Sequence, residues 1–319
     1  MPRLRPVRMV VLPSPYCMNA KLQIICFLSV ALLTGCSSGG GLVTVYTSQD
    51  QVYAEPILEQ FEREAGVRVR AVYDSEAVKT VGLVNRLIAE KSHPRCDLFW
   101  NNEAFRTHQL AELGVLDANS PIESFGARTR QWVWNTNRLS RVDLPASMAS
   151  LTNAHWRGRV AIALPLFGTT ATHFQVLRQR WGEEQWKVWC RALLANGVMA
   201  VDGNSVVVQL VGRGEVVLGL TDSDDVRAGL RNGLPIAGQP LGTDAMVIGN
   251  TLGHIRGAPR SDLGRRLAKF LRSPKVRTAL AEAGAIDVGE TPPSPGIDWS
   301  SLVEENAQAV NDLQSIFLN

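Results

Sequence analysis

One stretch, residues 214–230, constrains the fold of this chain more than any other. Residues 216–220 form a continuous apolar run rich in β-branched side chains, which is typical of a strand covered on both faces. The run ends in Thr-Asp-Ser-Asp-Asp, and a helical pattern follows from Val226. Because open α/β sheets place their ligands at the carboxyl ends of their strands, this junction predicts an acidic site in an α/β protein.

The first part of the chain repeats this arrangement. Apolar strand patterns end before Asp50, Glu76 and Glu103, and a helical pattern follows each of them. The predicted strands are 42–46, 67–73 and 97–100, and the predicted helices are 52–65, 78–91 and one that ends at residue 113. The alternation of strand and helix predicts a doubly wound parallel sheet with an acid beyond each strand.

A second α/β unit follows an extended segment at residues 128–137. It contains a strand at 159–164 and helices at 168–181, 183–194 and 206–213, and another extended segment follows at 245–249. Helices at 262–271 and 275–282 complete the pattern. Two units joined by two extended crossings predict a hinged protein with an interlobe cleft. The expected boundaries are 42–130 for the first part of lobe 1, 131–240 for lobe 2, and 241–319 for the return crossing, the rest of lobe 1 and the C-terminal helices.

The N-terminus has the pattern of an export signal. Lys21 precedes an apolar run at residues 22–33 that is too short to span a bilayer. The run ends in Leu-Thr-Gly-Cys36, which resembles a bacterial lipobox and predicts cleavage after residue 35 and lipidation of Cys36. Residues 36–41 then form a flexible tether. Because Met18 could begin a compact leader, residues 1–17 are interpreted as a mis-assigned start.

Charge and cysteine content narrow the function further. Removing residues 1–35 takes Lys and Arg from 33 to 29 against 30 acids, which leaves a net charge of about −1. A near-neutral body gives no electrostatic basis for nucleic-acid binding. Cys96 and Cys190 remain in the mature chain, and their apolar surroundings favour two buried thiols over a disulfide.

The polar residues at the strand ends allow two interpretations. Asp50, Glu103, Asp224 and Asp225 could together bind a hard cation. Alternatively, Asp224 and Asp225 could simply stabilise the first turn of a helix. The turns at Gly168-Thr169-Thr170 and at Asn204-Ser205 open helices whose free N–H groups suit an anion, although plain N-capping has the same pattern. Arg128 and Arg130 could clamp an anion or lie at the surface.

Three motifs carry a resemblance to a known family. They are residues 43–50 (VTVYTSQD), residues 96–103 (CDLFWNNE) and residues 204–220 (NSVVVQLVGRGEVVLGL). With the lipobox, they resemble the solute-binding lipoproteins of bacterial ABC importers, in particular the iron(III)-binding group. The resemblance implies a type II periplasmic-binding-protein fold, in which two doubly wound α/β lobes are joined by two extended crossings. It also implies a monomer on the periplasmic side of the cell envelope, membrane-bound through its lipid only, that works with ABC permease and ATPase subunits.

The resemblance also implies a ligand site. In iron(III) binders a His, a Glu and two adjacent Tyr hold the metal with an anion, and these positions fall at Asp50, Glu103, Asp224 and Asp225. The expected ligand-binding residues are Ser48, Asp50, Glu76, Glu103, Gly168, Thr169, Thr170, Asn204, Ser205, Asp222, Asp224 and Asp225. The leading expectation is Fe³⁺ or another hard cation with a synergistic anion. An organic phosphate, a phosphonate or a similar polar solute is the alternative. No nucleophile motif is present, so a lipid-anchored hydrolase is the least favoured reading.

Overall fold

The computed structural model describes residues 40–74, 81–288 and 296–318. The predicted leader, Cys36, most of the tether and Glu76 therefore lie outside the described residues. Within those ranges, no helix is long and apolar enough to cross a membrane.

The first half of the sheet contains three parallel strands, with β1 between β2 and β3. These strands and the helices that follow them are β1 (Leu42–Thr47), α1 (Gln51–Ala65), β2 (Arg68–Tyr73), α2 (Val81–Ala89), β3 (Leu98–Asn101) and α3 (Ala104–Glu112). Val43 and Val45 pack with α1 on one face, whereas Tyr46 and Phe99 pack with α2 and α3 on the other. Because successive strand residues point to opposite faces, β1 buries both of its sides, and residues 43–47 are all buried.

The second half of the sheet repeats the arrangement, with β5 between β6 and β7. Its elements are β5 (Val160–Ala163), α4 (Gly168–Trp181), α5 (Glu183–Ala195), β6 (Met199–Val201), α6 (Asn204–Arg213), β7 (Leu218–Asp222) and α7 (Ser223–Arg231). Ile162 packs with α4 and α5, and Ala161 packs with α6 and α7. Helices therefore cover both faces here as well.

Two long antiparallel strands join the halves. β4 (Glu123–Asn135) pairs first with β9 (Val247–His254) and then, from residue 130 onward, with β7 and β8 (Ile236–Pro240). Since β9 also pairs with β3, the strand order is β2-β1-β3-β9-β4-β7-β5-β6, with β8 on β4. β4 and β9 include most of the predicted crossings at 128–137 and 245–249. The lobe boundaries themselves stay a prediction.

The C-terminal part contains α8 (Ser261–Leu271), α9 (Pro274–Ala283) and α10 (Trp299–Phe317). The sequence predicted α8 and α9 but missed α10, β6 and β8. Helix α10 packs on both halves of the molecule, because Leu302 contacts the cluster around Phe105 and Leu313 contacts the cluster around Trp186. Cys96 and Cys190 are both buried and carry free thiols, as the apolar context predicted, and burial raises the pKa of each thiol.

Candidate functional site

Three carboxylates lie where β7 passes into α7. Asp222 ends the strand and precedes the helix, and Asp224 and Asp225 lie in the first helical turn. Each offers an oxygen within 4.8 Å of the other two. Carboxylates at this spacing repel one another unless positive charge or hydrogen-bond donors lie among them. The partners of these three side chains therefore decide what the group can bind.

Arg130 of β4 is the principal partner of Asp222. The two residues lie opposite each other in the antiparallel pairing of β4 and β7. The side chain of Arg130 is fully buried and forms an ion pair with Asp222. It also donates to Asn204 Oδ1 at 3.2 Å and to Thr170 Oγ1 at 3.2 Å. The strand register thus places a fixed positive charge at the centre of the acidic turn.

Arg128 lies two residues earlier on the same face of β4. It donates to Asp224 Oδ2 at 2.7 Å, and the same nitrogen lies 3.6 Å from Asp222 Oδ2. Its other terminal nitrogen donates to the backbone carbonyl of Asn102 at 2.7 Å. Because Asn102 follows β3, Arg128 connects the acidic turn to the first half of the sheet.

The N-termini of α4 and α6 supply further donors to Asp222. The Thr169 hydroxyl donates to Asp222 Oδ2 at 2.7 Å, and Asn204 Nδ2 donates to the same oxygen at 3.1 Å. The N-cap residues, Phe167 and Gly203, form no side-chain cap hydrogen bond. The N–H groups and the positive dipole ends of two helices therefore lie beside this carboxylate. We refer to Arg128, Arg130, Thr169, Thr170, Asn204, Asp222, Asp224 and Asp225 as the polar cluster.

Glu103 approaches the polar cluster from the first half of the sheet. Its carboxylate caps α3 by accepting from the backbone N–H groups of Phe105 and Arg106, both at 2.9 Å. It also accepts from the Thr172 hydroxyl of α4 at 3.2 Å. Glu103 is thus a helix cap and a link between α3 and α4 at once.

The other predicted residues lie around these. Ser48 donates from its hydroxyl to Asn101 at 2.6 Å and to Asn102 at 2.9 Å. Asp50 is the N-cap residue of α1, and its charge helps to raise the pKa of Asp224. Neither Asp50 nor Glu103 belongs to the carboxylate group around Asp222 that the described part of the chain contains. Gly168 and Ser205 lie in the first turns of α4 and α6.

Burial and neighbouring positive charges shift the pKa values of these acids in opposite directions. Burial acts to raise the pKa of Asp222, but Arg130 and Arg128 together hold it below its usual value. Burial raises the pKa of Asp224 despite the lowering effect of Arg128. Burial likewise raises the pKa of Glu103. Asp222 is therefore more firmly ionised than Asp224 or Glu103.

The sequence indicated part of this arrangement. It identified Thr169, Thr170, Asn204 and the three aspartates, which the structure brings together. It also considered Arg128 and Arg130 for anion binding, but not as buried partners of the aspartates. The roles of Asn102 and Thr172 were missed. Thr172 could have been noticed, because it lies one turn after Gly168 on the same helix.

Comparison with known proteins shows the family of this chain. The family described as bacterial extracellular solute-binding protein matches residues 42–285. The chain belongs to this family. A putative 2-aminoethylphosphonate-binding periplasmic protein of Salmonella typhimurium is 23% identical over 286 residues, which cover 82% of this chain and 83% of that protein. An Fe(3+)-binding periplasmic protein of Serratia marcescens is 28% identical over 196 residues, which cover 56% of each chain.

Solved structures agree on the fold of this family member. Iron-bound HitA from Pseudomonas aeruginosa superposes with a TM-score of 0.74 at 19% identity, covering 86% of this chain and 99% of HitA. AfuA from Actinobacillus pleuropneumoniae, solved with fructose-6-phosphate, gives a TM-score of 0.71 at 19% identity, with 87% and 99% covered. The predicted type II periplasmic-binding-protein fold is thereby confirmed.

Proposed function

We propose that this solute-binding protein captures a small zwitterionic solute, with an ammonium group and a phosphonate or phosphate group, for an ABC importer. The observation that carries the proposal is the mixed charge of the polar cluster. Arg128 and Arg130 pair with Asp224 and Asp222 inside the protein, while Asp225 adds a third carboxylate. A site that offers both buried donors and buried acceptors suits a ligand that carries both charges.

One carboxylate oxygen of the polar cluster lacks a hydrogen-bond donor. Asp224 is 7% exposed, and its Oδ1 atom has no hydrogen-bond partner among the described residues. A buried acceptor without a partner costs free energy. An ammonium group supplies up to three N–H donors and would satisfy this oxygen. We therefore place the ammonium group at Asp224 and Asp225.

The donor side of the cluster suits the anionic group. The uncapped N-termini of α4 and α6 offer backbone N–H groups beside Thr169, Thr170 and Asn204. Helix N-termini are favourable places for phosphate-like anions. The relatives called 2-aminoethylphosphonate-binding match 82% of this chain, whereas the Serratia Fe(3+)-binding relative matches 56%. Both the donors and this broader match support an aminoalkyl phosphonate as the solute.

A second candidate is Fe³⁺ or another hard cation with a bound anion. The oxygens of Asp222, Asp224 and Asp225 within 4.8 Å of one another favour it. Against it, the guanidinium of Arg128 donates to Asp224 at 2.7 Å, and this fixed positive charge repels a multiply charged metal ion more strongly than a singly charged ammonium group. The predicted ligand set of Asp50, Glu103, Asp224 and Asp225 remains a prediction.

Capture would involve closure of the two halves about β4 and β9. Two contacts connect the halves next to the polar cluster, namely Arg128 to the Asn102 carbonyl and Thr172 to Glu103. We propose that both break when the halves open and re-form over the solute. In this proposal the chain is a monomeric carrier rather than an enzyme, lipid-anchored through Cys36 on the periplasmic side, and it delivers its cargo to permease and ATPase subunits.

Titration calorimetry tests the proposal. We expect the wild-type protein to bind 2-aminoethylphosphonate, and Asp224→Asn to weaken binding roughly 10- to 100-fold, because the acceptor of the ammonium group loses its negative charge. Glu123→Gln is the matched control, since Glu123 pairs with His254 and Arg272 outside the cluster. It should leave affinity unchanged. Binding of ferric iron with phosphate or carbonate, and no heat with the phosphonate, would instead support the second candidate.

A further inference from the structure

We infer that Asp222 selects the protonation state of the bound oxyanion, so that the site accepts a phosphonate or phosphate ester that carries one proton and rejects a sulfonate. This inference rests on the proposed function, because it concerns the anionic end of the same solute. It adds a specificity rule that neither the fold nor the relatives supply.

The position of Asp222 is the basis of the inference. Its side chain is 1% exposed and lies beside the starts of both α4 and α6, where the anionic group is expected. Oδ1 accepts from Arg130, and Oδ2 accepts from Thr169 and Asn204. An oxyanion that uses the donors of these helix starts must therefore lie against a carboxylate.

The charges around Asp222 keep it ionised. Arg128 and Arg130 face it from β4, Asp224 and Asp225 from α7, and His173 from α4. Burial, with a further contribution from Arg130, lowers the pKa of His173 to about 3, so this ring is neutral at physiological pH. Arg130 forms an ion pair with Asp222 and Arg128 lies 3.6 Å from its Oδ2 atom, so two guanidinium groups stabilise the charged form of this carboxylate. The α6 start contributes a neutral amide, Asn204.

An ionised carboxylate can only accept hydrogen bonds. A monoprotonated phosphonate presents one P–OH group and can donate its proton to Asp222 while its other oxygens accept from the helix starts. A sulfonate of the same shape and charge has no such proton. It would place two acceptors in contact inside the protein, and sites built around a ligand hydroxyl reject analogues that lack it very strongly.

The matched ligands 2-aminoethylphosphonate and 2-aminoethanesulfonate test the inference by calorimetry at pH 6. They share the aminoethyl group and differ in the P–OH proton. We expect the wild-type protein to prefer the phosphonate at least about 100-fold. In Asp222→Asn the preference should fall to about 10-fold or less, because the amide can donate to a sulfonate oxygen. Glu123→Gln should keep the wild-type preference.

A second measurement needs no variant. The second pKa of a phosphoryl group is about 6, and above it the wild-type affinity for the phosphonate should fall about tenfold per pH unit. Burial raises the pKa values of Asp224 and Glu103, but their ionisation with rising pH would strengthen binding of an ammonium group. A fall in affinity therefore reports the proton of the ligand.

Three outcomes would overturn the inference. Equal binding of both ligands by the wild type, a preference that survives in a folded Asp222→Asn, or a phosphonate affinity that is flat or rising above pH 6 each contradict it while leaving the proposed function in place. If neither ligand binds the wild type, the proposed function fails and the inference fails with it.

Discussion

Replacing Arg130 with methionine is expected to lower the free energy of unfolding by about 3–5 kcal/mol. The substitution keeps most of the side-chain volume but leaves Asp222 buried, where Arg130 had formed its ion pair and further hydrogen bonds to Asn204 and Thr170. Removing one member of a buried pair costs more than the pair itself contributes, because the remaining charge has no access to water and has lost its principal partner. Urea unfolding followed by circular dichroism at pH 7 measures the change.

Two further variants show whether the loss of stability comes from the buried charge of Asp222. Arg130→Met combined with Asp222→Asn should recover part of the loss, because the uncompensated charge is then absent. Arg265→Met is the matched control, since Arg265 pairs with Asp262 at the surface, where the two side chains are 52% and 90% exposed. It should change stability by less than about 1 kcal/mol. A cost for Arg130→Met no larger than that of the control would contradict the buried pairing.

Lowering the pH from 6.5 to 5 should destabilise the protein partly through His173. The ring is fully buried, its Nε2 atom lies 2.9 Å from the Asp244 carbonyl oxygen, and its pKa is lowered mainly by burial to about 3. The unfolded chain takes up a proton near pH 6.5 while the folded chain does not, so stability is full above pH 6.5 and is lost as the pH falls. One such group contributes a slope of up to about 1.4 kcal/mol per pH unit.

His173→Gln isolates this contribution, because the glutamine amide can still donate to the Asp244 carbonyl but does not titrate. Urea unfolding at pH 7.5, 6.5, 5.5 and 5.0 should show a smaller slope in this variant than in the wild type, by up to about 2 kcal/mol at pH 5. A substitution of the exposed His93 by glutamine should keep the wild-type slope. Identical slopes in the wild type and His173→Gln would show that the buried ring can be protonated at little cost.

The acidic turn was predictable because its signal is local. An apolar run followed by Asp222 and two further acids defines a strand, its carboxyl end and a helix start, whatever the rest of the chain does. The ion pair between Arg130 and Asp222 was not predictable in this way. It depends on β4 lying beside β7 in one register, and these residues are 92 positions apart in the chain. Sequence patterns give the strands but not which strands become neighbours.

The sequence patterns failed to predict β6, β8 and α10 for different physical reasons. β6 has three residues, and β8 contains a glycine and ends in a proline, so neither shows a clear strand pattern. Helix α10 was overlooked although its signal is present: Asp298 caps it, and Leu302, Ala309 and Leu313 form one buried face at helical spacing. The proline-rich residues 292–295 before it are typical of a loop and gave no sign of the helix that follows.

The most direct test of the account is a crystal structure of the full chain with 2-aminoethylphosphonate. We predict the nitrogen within hydrogen-bonding distance of Asp224, the phosphonate at the starts of α4 and α6, and one phosphonate oxygen against Asp222. Density for the solute anywhere else, or a metal ion at the three aspartates with the phosphonate excluded, would contradict the assignment of the polar cluster as a zwitterion site.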